Sequence, residues 1–506
     1  QNQGGFYVAN TAMLAKREKR ERKVRRMNRV PHPTLPIKAV MFFSFFISVS
    51  LCYRAPRHFP RMQTEQFTFE GGYVTPEAIQ ERASLEDRSY FLLVNDVHAD
   101  LWFKAGSDPN QRCINGTGTA GVFGEHVCDT PFHALDAALQ ATAKAFPDPD
   151  FLLYLGDAPP HNLDPHGYMD LNDMDVIDSI DRVIGSLSAA YPETVPVFPI
   201  LGNHDTYPEE CLPLSGKART DWLGRVGDVY ERCSGMTAQS VATFKEYGWY
   251  TEPINDAATL VVMNTVYYDM MNFYVMFEGC SDRTAPDQWT WLEDQLQTAE
   301  AEGKKVILAL HRPVGYDAIQ ILSDFCVDAS RTLEDILVRY SHVVPVSLAG
   351  HTHRDEWRVI RDPATDAPAH TIIVAPGATG YTVTNPGLRL VEWAPSTGEI
   401  LGWTQLYWNI DLSNQYDYLD LRVGYRTVEE YGARNINATV MDGINQRLVA
   451  DDSAFSTFYG HLYVENIDPT SWSRTDRALA LCAIQYVNEP EYNQCLIDLD
   501  TNHMHV

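Results

Sequence analysis

Short apolar runs punctuate the chain from residue 90 onward: Tyr90–Val94, Phe151–Leu155, Val195–Leu201, Thr259–Met263, Val306–Leu310, Val343–Leu348 and Thr371–Val374. They are continuous rather than alternating, as strands buried on both faces are. Between them lie stretches with helical periodicity, among them His133–Phe146 and Gln288–Glu302, the second opened by Pro286-Asp287. Strand-helix alternation predicts an α/β architecture whose ligands bind at the carboxyl ends of the strands. After about residue 411 the apolar runs fade into helical, Tyr-rich sequence ending in Cys482 and Cys495. Residues 54–89 read as a polar connector, and no internal repeat is found.

One apolar run stands apart. Residues 39–53 (AVMFFSFFISVSLCY) carry no charge over 15 positions, short of the ~20 that cross a bilayer unaided. Ahead of it, Lys16 to Lys38 hold ten Lys/Arg against only Glu18 and Glu21. This pattern predicts a basic tail over 1–38 and a membrane signal-anchor over 39–53, with the body lumenal or extracellular by the positive-inside rule. A cleaved signal peptide and a buried core helix are the competing readings of the run. A mitochondrial inner-membrane protein facing the intermembrane space is the alternative location.

Charge changes the picture further. The chain has 506 residues and a formal net charge of -27. Outside the tail, residues 39–506 hold 30 Lys/Arg against 65 Asp/Glu, a body too acidic to bind a nucleic-acid polymer. Hydrophobic content of 45% and mean hydropathy of -0.26 exclude both wholesale disorder and a polytopic membrane protein. Eight cysteines follow Cys52 and none forms a CxxC, which suits disulfides in an oxidising compartment better than a thiolate metal site. The sequons Asn115-Gly-Thr and Asn437-Ala-Thr predict a glycoprotein on the same side.

The chemistry lies just past the strands. The runs end in Asn95-Asp96-Val97-His98, Gly156-Asp157-Ala-Pro-Pro-His161, Gly202-Asn203-His204-Asp205, His311-Arg312-Pro313 and Gly350-His351-Thr352-His353. A lone strand-end histidine is usually structural, but five such fragments in order point to a shared site. Two divalent ions about 3.5–4 Å apart need a bridging carboxylate and several further ligands. Imidazole and carboxylate favour zinc, manganese or iron over calcium. Asp96, His98 and His353 would hold one ion, Asn203, His311 and His351 the other, and Asp157 would bridge. Such a pair activates a bridging hydroxide and clamps phosphate oxygens, as phosphoester hydrolysis requires.

D-x-H, GD, GNHD, H and GHTH in this order resemble the calcineurin-like metallophosphoesterases, and within them the acid sphingomyelinase-like phosphodiesterases. The subgroup resemblance rests on Phe123-Gly124, Cys128-Asp129-Thr-Pro131, Pro313-Val-Gly-Tyr316, Gly350-His-Thr-His-Arg-Asp355, Asn385-Pro-Gly-Leu-Arg389 and the end Cys482…Tyr492-Asn-Gln-Cys495. It covers about 90–506. It implies a four-layer sandwich, two mixed β-sheets flanked by helices, over 90–410, with a C-terminal helical subdomain over 411–506. It also implies His204 as general acid with Asp205 orienting it, His161 at the phosphate, and disulfides Cys113–Cys128, Cys211–Cys233, Cys280–Cys326 and Cys482–Cys495.

Departures narrow the expectation. Pro160 stands where purple acid phosphatases place a tyrosine, and His161 where calcineurin-type protein phosphatases place an arginine. Residues 54–89 hold no cysteine, so the saposin module of acid sphingomyelinase is not expected there. The expected function is a two-zinc phosphodiesterase acting on small nucleotide-type or phosphocholine-type esters, with sphingomyelin as an alternative substrate. A membrane-complex subunit that keeps the fold without activity, docked through its basic tail, is the alternative role.

Overall fold

The computed structural model describes residues 87–161, 171–279, 285–319, 323 and 325–501. Fourteen strands occur among them, in chain order β1 (Ser89–Val94), β2 (Ala99–Asp100), β3 (Thr130–Pro131), β4 (Leu152–Tyr154), β5 (Val197–Pro199), β6 (Tyr250–Pro253), β7 (Ala258–Val262), β8 (Lys305–Ala309), β9 (Ser347–Ala349), β10 (Glu356–Arg361), β11 (Pro368–Val374), β12 (Gly387–Ala394), β13 (Glu399–Trp408) and β14 (Leu421–Arg426). Twelve form two six-stranded mixed sheets, ordered β14-β13-β12-β1-β4-β5 and β10-β11-β9-β8-β7-β6. β1, β4 and β5 run parallel to one another, as do β7, β8, β9 and β11. Their carboxyl ends therefore gather loops at one edge of each sheet.

Helices cover the sheets. Asp173–Ala190 packs on β5, Pro286–Glu302 on β8, Val327–Arg339 on β11, and the C-terminal helices Ala438–Ala450 and Arg474–Gln485 on β11 and β10. A single apolar cluster joins Phe91, Leu153 and Trp393 of the first sheet to Leu308, Trp357 and Ile373 of the second. All seven apolar runs contain a strand. Val343–Leu348 does so only at its end, because Pro345 cannot donate to a ladder. Beyond residue 411, where only helix is expected, β14 adds an edge strand to the first sheet.

Ionic contacts pin that edge. Arg389 on β12 and Asp355 just before β10 are both buried, with Nη2 2.5 Å from Oδ1. The other Asp355 oxygen accepts the Tyr425 hydroxyl from β14 at 2.8 Å. Arg389 Nε donates to Gln405 on β13 at 2.8 Å. Disulfides Cys113–Cys128 and Cys482–Cys495 form as expected, and Cys233 and Cys326 are also disulfide-bonded. Cys280 lies outside the described residues. Asn115 and Asn437 are both exposed.

The expected location is corrected. Among the described residues no helix is long and apolar enough to cross a membrane. The longest helices, Asp173–Ala190 and Gly216–Cys233, interleave charged with apolar positions and bury one face. The basic tail 1–38, the run 39–53 and the connector up to residue 86 lie outside the described residues. The mitochondrial alternative rested on the same run and falls with the single-pass reading.

Removing one partner of a fully buried ion pair strands the other charge, so Arg389→Met is expected to destabilise the protein by about 3–5 kcal/mol. Chemical denaturation measures this. A loss below about 1 kcal/mol, the worth of an exposed pair, would show that the contact does not pin the sheets.

Candidate metal centre

Loops after β1, β4, β5, β8 and β9 converge, and their backbones leave strand geometry abruptly. Asp96, His98, Asp157, His351 and His353 have φ of 41°, 42°, 62°, 75° and 60°. Such values are uncommon for residues with a Cβ, and here they occur at alternate positions, 96 and 98 and again 351 and 353, whose side chains enter the cluster. The loops lock together through Asp96 N to Gly156 O (3.2 Å), His98 N to Asp157 O (3.0 Å) and Gly350 N to His311 O (2.9 Å). Glycine lets them approach. A Cβ on Gly202 would lie 2.1 Å from Asp157 Oδ1, and one on Gly350 1.9 Å from Asn95 Oδ1.

The structure brings all seven expected ligands into one buried cluster. On one side His98 Nε2 lies 3.1 Å from His353 Nε2, 3.8 Å from Asp96 Oδ1 and 3.7 Å from Asp157 Oδ2. On the other, Asp157 Oδ2 lies 3.2 Å from His311 Nε2. Asn203 Oδ1 is 2.7 Å from His311 Nε2 and 3.0 Å from His351 Nδ1. Among the described residues three donor sets able to hold a cation form, His98/His161/His353, His98/Asp157/His204 and Asp157/His311/His351, and Asp157 belongs to two of them. The far ring nitrogens are occupied, His98 Nδ1 by Pro159 O at 2.9 Å and His311 Nδ1 by Leu155 O at 2.7 Å. That turns each Nε2 inward, as metal-ligating imidazoles require. Asp96 Oδ1 is buried without a hydrogen-bond partner and lies 3.6 Å from His353 Nε2. A carboxylate oxygen isolated among imidazole nitrogens fits a divalent cation.

Electrostatics agrees. Burial alone would raise Asp157, but His311, His204 and His98 outweigh it and hold the carboxyl well below its usual range. Burial would lower His311, yet Asp157 and Asp96 push it up to about 9. His351 and His353 are driven well below the usual imidazole range by burial. Ionised Asp157 and neutral His351 and His353 are the forms that bind metal, whereas His311 must first give up its proton, so metal binding there releases one.

Around the cluster lies a polar cavity of about 160 Å³, lined in part by Asp157, His161, His204, His351 and His353. His204 is backed by Glu209, Nδ1 to Oε1 2.6 Å. Burial lowers its proton affinity, but Glu209 and Asp157 prevail and raise it well above the ordinary value. The side chain in contact with the His204 ring is therefore Glu209, not the expected Asp205. Asp205 instead accepts backbone N–H groups from Gly202, Asp157 and Ala158 at 2.8–2.9 Å. It braces two loops.

His161 stacks on His98 at 3.9 Å and on Tyr381 at 4.0 Å. Its Nδ1 lies 2.6 Å from Asp129 Oδ1, and Arg112 links its carbonyl to the Tyr381 hydroxyl. Glu210 accepts from Asn203 Nδ2 at 2.8 Å, turning Oδ1 toward the histidines. Sequence reasoning assigned no role to Asp129, Glu209, Glu210 or Tyr381. Only Asp129 carried a signal, as part of Cys128-Asp129-Thr-Pro131.

Comparison with known proteins adds an independent line. Residues 89–355 match the family described as calcineurin-like phosphoesterase. Residues 366–502 match the acid sphingomyelin phosphodiesterase C-terminal region. Sphingomyelin phosphodiesterase A of Dictyostelium discoideum is 27% identical over 414 residues, covering 80% of this chain and 68% of that protein. The cyclic GMP-AMP phosphodiesterase SMPDL3A of Homo sapiens is 26% identical over 428 residues, covering 82% and 91%. Among solved structures, a putative 5'-nucleotidase from Staphylococcus aureus gives a TM-score of 0.33 at 13% identity, covering 66% of this chain and 53% of that one.

Partners that orient a metal ligand typically carry 10–100-fold in affinity, so Glu210→Ala is expected to weaken divalent-metal binding by about that factor. Competition with a chromophoric chelator reads it. Unchanged affinity would show that Asn203 needs no such support.

Proposed function

The chain belongs to the calcineurin-like phosphoesterase family, and on that premise we propose that it hydrolyses small phosphodiesters of nucleotide or phosphocholine type. The observation that carries the reading is Asp157, one carboxylate shared by two donor sets and facing the same cavity as His204 and His161. Asp96, His98, Asp157 and His353 would hold one divalent cation, and Asp157, Asn203, His311 and His351 a second; zinc is the expected metal. Bound there, the cations supply Lewis-acid charge to the phosphoryl group and acidify the attacking water.

The remaining work falls to side chains. Water adds to phosphorus, releasing one proton to solvent, and the bond to the leaving oxygen breaks. His204, with Nδ1 engaged by Glu209, passes a proton to that oxygen, so the alcohol departs neutral. His161, anchored by Asp129 and stacked beside His98, presents a second imidazole to the phosphate oxygens. Loss of a leaving-group proton matters most for a basic alkoxide and least for a stabilised phenolate. Support for a diester substrate comes from the named activities of the relatives, each a phosphodiesterase.

His204→Ala should lower kcat about 10²–10⁴-fold on an alkyl phosphodiester and far less on bis(p-nitrophenyl) phosphate, whose leaving group needs no proton. Glu209→Gln should show the same bias at smaller amplitude. Equal losses on both esters would remove His204 as proton donor. A panel of dinucleotides, choline phosphodiesters and micellar sphingomyelin, assayed with zinc-loaded protein, separates the substrate classes. Full metal content with no turnover on any would favour a non-catalytic role.

A further inference from the structure

One wall of the cavity, contributed by Arg312, Pro313, Gly315 and Asp317, is built from the loop after β8. Side chains from elsewhere hold this loop: Arg358 on β10 donates to the carbonyls of Pro313 and Val314. Glu356 accepts from Ala318 N at 3.0 Å and from Arg358 at 3.1 Å.

The C-terminal end of the chain closes on the same loop from outside. Tyr316 stacks face to face on Tyr492, with centroids 3.8 Å apart and planes within 2°. Tyr492 is fully buried. Gly315 adopts φ +94°, and a Cβ there would lie 3.0 Å from Val487. Val487 and Tyr492 both fall inside the segment closed by Cys482–Cys495, which joins helices Arg474–Gln485 and Glu489–Thr501. A cross-link around so short a segment narrows the arrangements its residues can take. The surface offered to Gly315 and Tyr316 is therefore held in place.

We propose that Tyr492, clamped by the Cys482–Cys495 disulfide, is a positioning residue that sets the cavity wall 313–317 and through it the fit of the ester group distant from the cations. It touches no reacting atom. Its effect runs from a disulfide-closed helical hairpin, through one aromatic stack, to the loop that follows the metal ligand His311. The proposal rests on the phosphodiesterase reading for its kinetic consequence and on geometry alone for its mechanical one.

The full chain, Tyr492→Leu, Tyr492→Phe and a control, Phe455→Leu, are compared. Phe455 is equally buried in the C-terminal region but stacks on Tyr459 and Trp472 rather than on the loop. Loss of the stack should raise KM for bis(p-nitrophenyl) phosphate about fivefold while kcat stays within about twofold. Amides 314–319 should exchange faster with deuterium, those of β8 and β9 should not, and Tyr492→Phe should restore both readings. Phe455→Leu should lower Tm without either change. If Tyr492→Leu does not accumulate, Tyr316→Leu removes the other ring and is read identically. An unchanged KM in the Leu variant overturns the proposal, whatever happens to Tm. If the unaltered chain hydrolyses no phosphodiester, the functional reading fails separately, and unchanged exchange of amides 314–319 then overturns the brace.

Discussion

One carboxylate has to face two groups of imidazoles at once. Asp157 Oδ2 stands 3.2 Å from His311 and 3.7 Å from His98, ligands delivered by different sheets. These side chains are not presented by strand alternation, which would pair 96 with 98 and 351 with 353 on one face, because the residues lie past the strand ends and outside strand geometry. The loops instead place five non-glycine residues in the left-handed region, at a cost of order 1–3 kcal/mol each. Interlocking amides and the three N–H groups gathered by Asp205 offset that cost. The two large sheets act as rigid supports for strained loops that would not hold these conformations alone.

This explains which parts could be read from the chain in advance. Strand-end fragments were legible because a ligand must sit next to the apolar run that positions it. The order D-x-H, GD, GNHD, H and GHTH therefore survives as text. Glu209 and Glu210 act on His204 and Asn203 within one loop, and nothing in their local sequence distinguishes them from ordinary surface acids; Asp129, which reaches across to His161, showed only as part of Cys128-Asp129-Thr-Pro131. Asp205 misled for the opposite reason. Adjacent to His204 in sequence, it faces the other way, because its oxygens are drawn to backbone amides rather than to the ring. The glycines of the fragments were legible only as letters. Gly202 and Gly350 acquire meaning once a Cβ is seen to collide with Asp157 and Asn95.

The fold shows the same division. Buried parallel strands announce themselves as uninterrupted apolar runs. β10 and β14 do not, since Glu356, Arg358, Arg422 and Arg426 interrupt them. Those charges sit in strands because partners satisfy them: Arg358 with Glu356, and Arg426 with Glu392 at 2.8 Å. A pattern rule that treats charge as a strand breaker fails where ion pairs bury the charge. The run at 39–53 shows the converse, an apolar stretch too short to carry a location by itself.

Acidity and substrate charge can be reconciled by distance. A body with 65 acidic residues against 30 basic ones repels anions from afar, but salt limits that repulsion to about 8–10 Å. Inside the cavity the balance reverses. Buried acids near the mouth are already spoken for: Asp269 lies 2.8 Å from Arg312, Glu209 sits against His204, and Asp129 against His161. Glu210 is pushed up to about 8 by burial and by Asp269, so it contributes little negative charge near neutral pH. Besides Asp157 and Asp317, the cavity is lined by the imidazoles of His161, His204, His351 and His353 and by Arg312 and Arg358, which are paired with Asp269 and Glu356. On the phosphodiesterase reading, attraction for an anion would come from this lining and from cations held by the ligand set, within a few ångströms of the phosphorus, rather than from the protein's net charge.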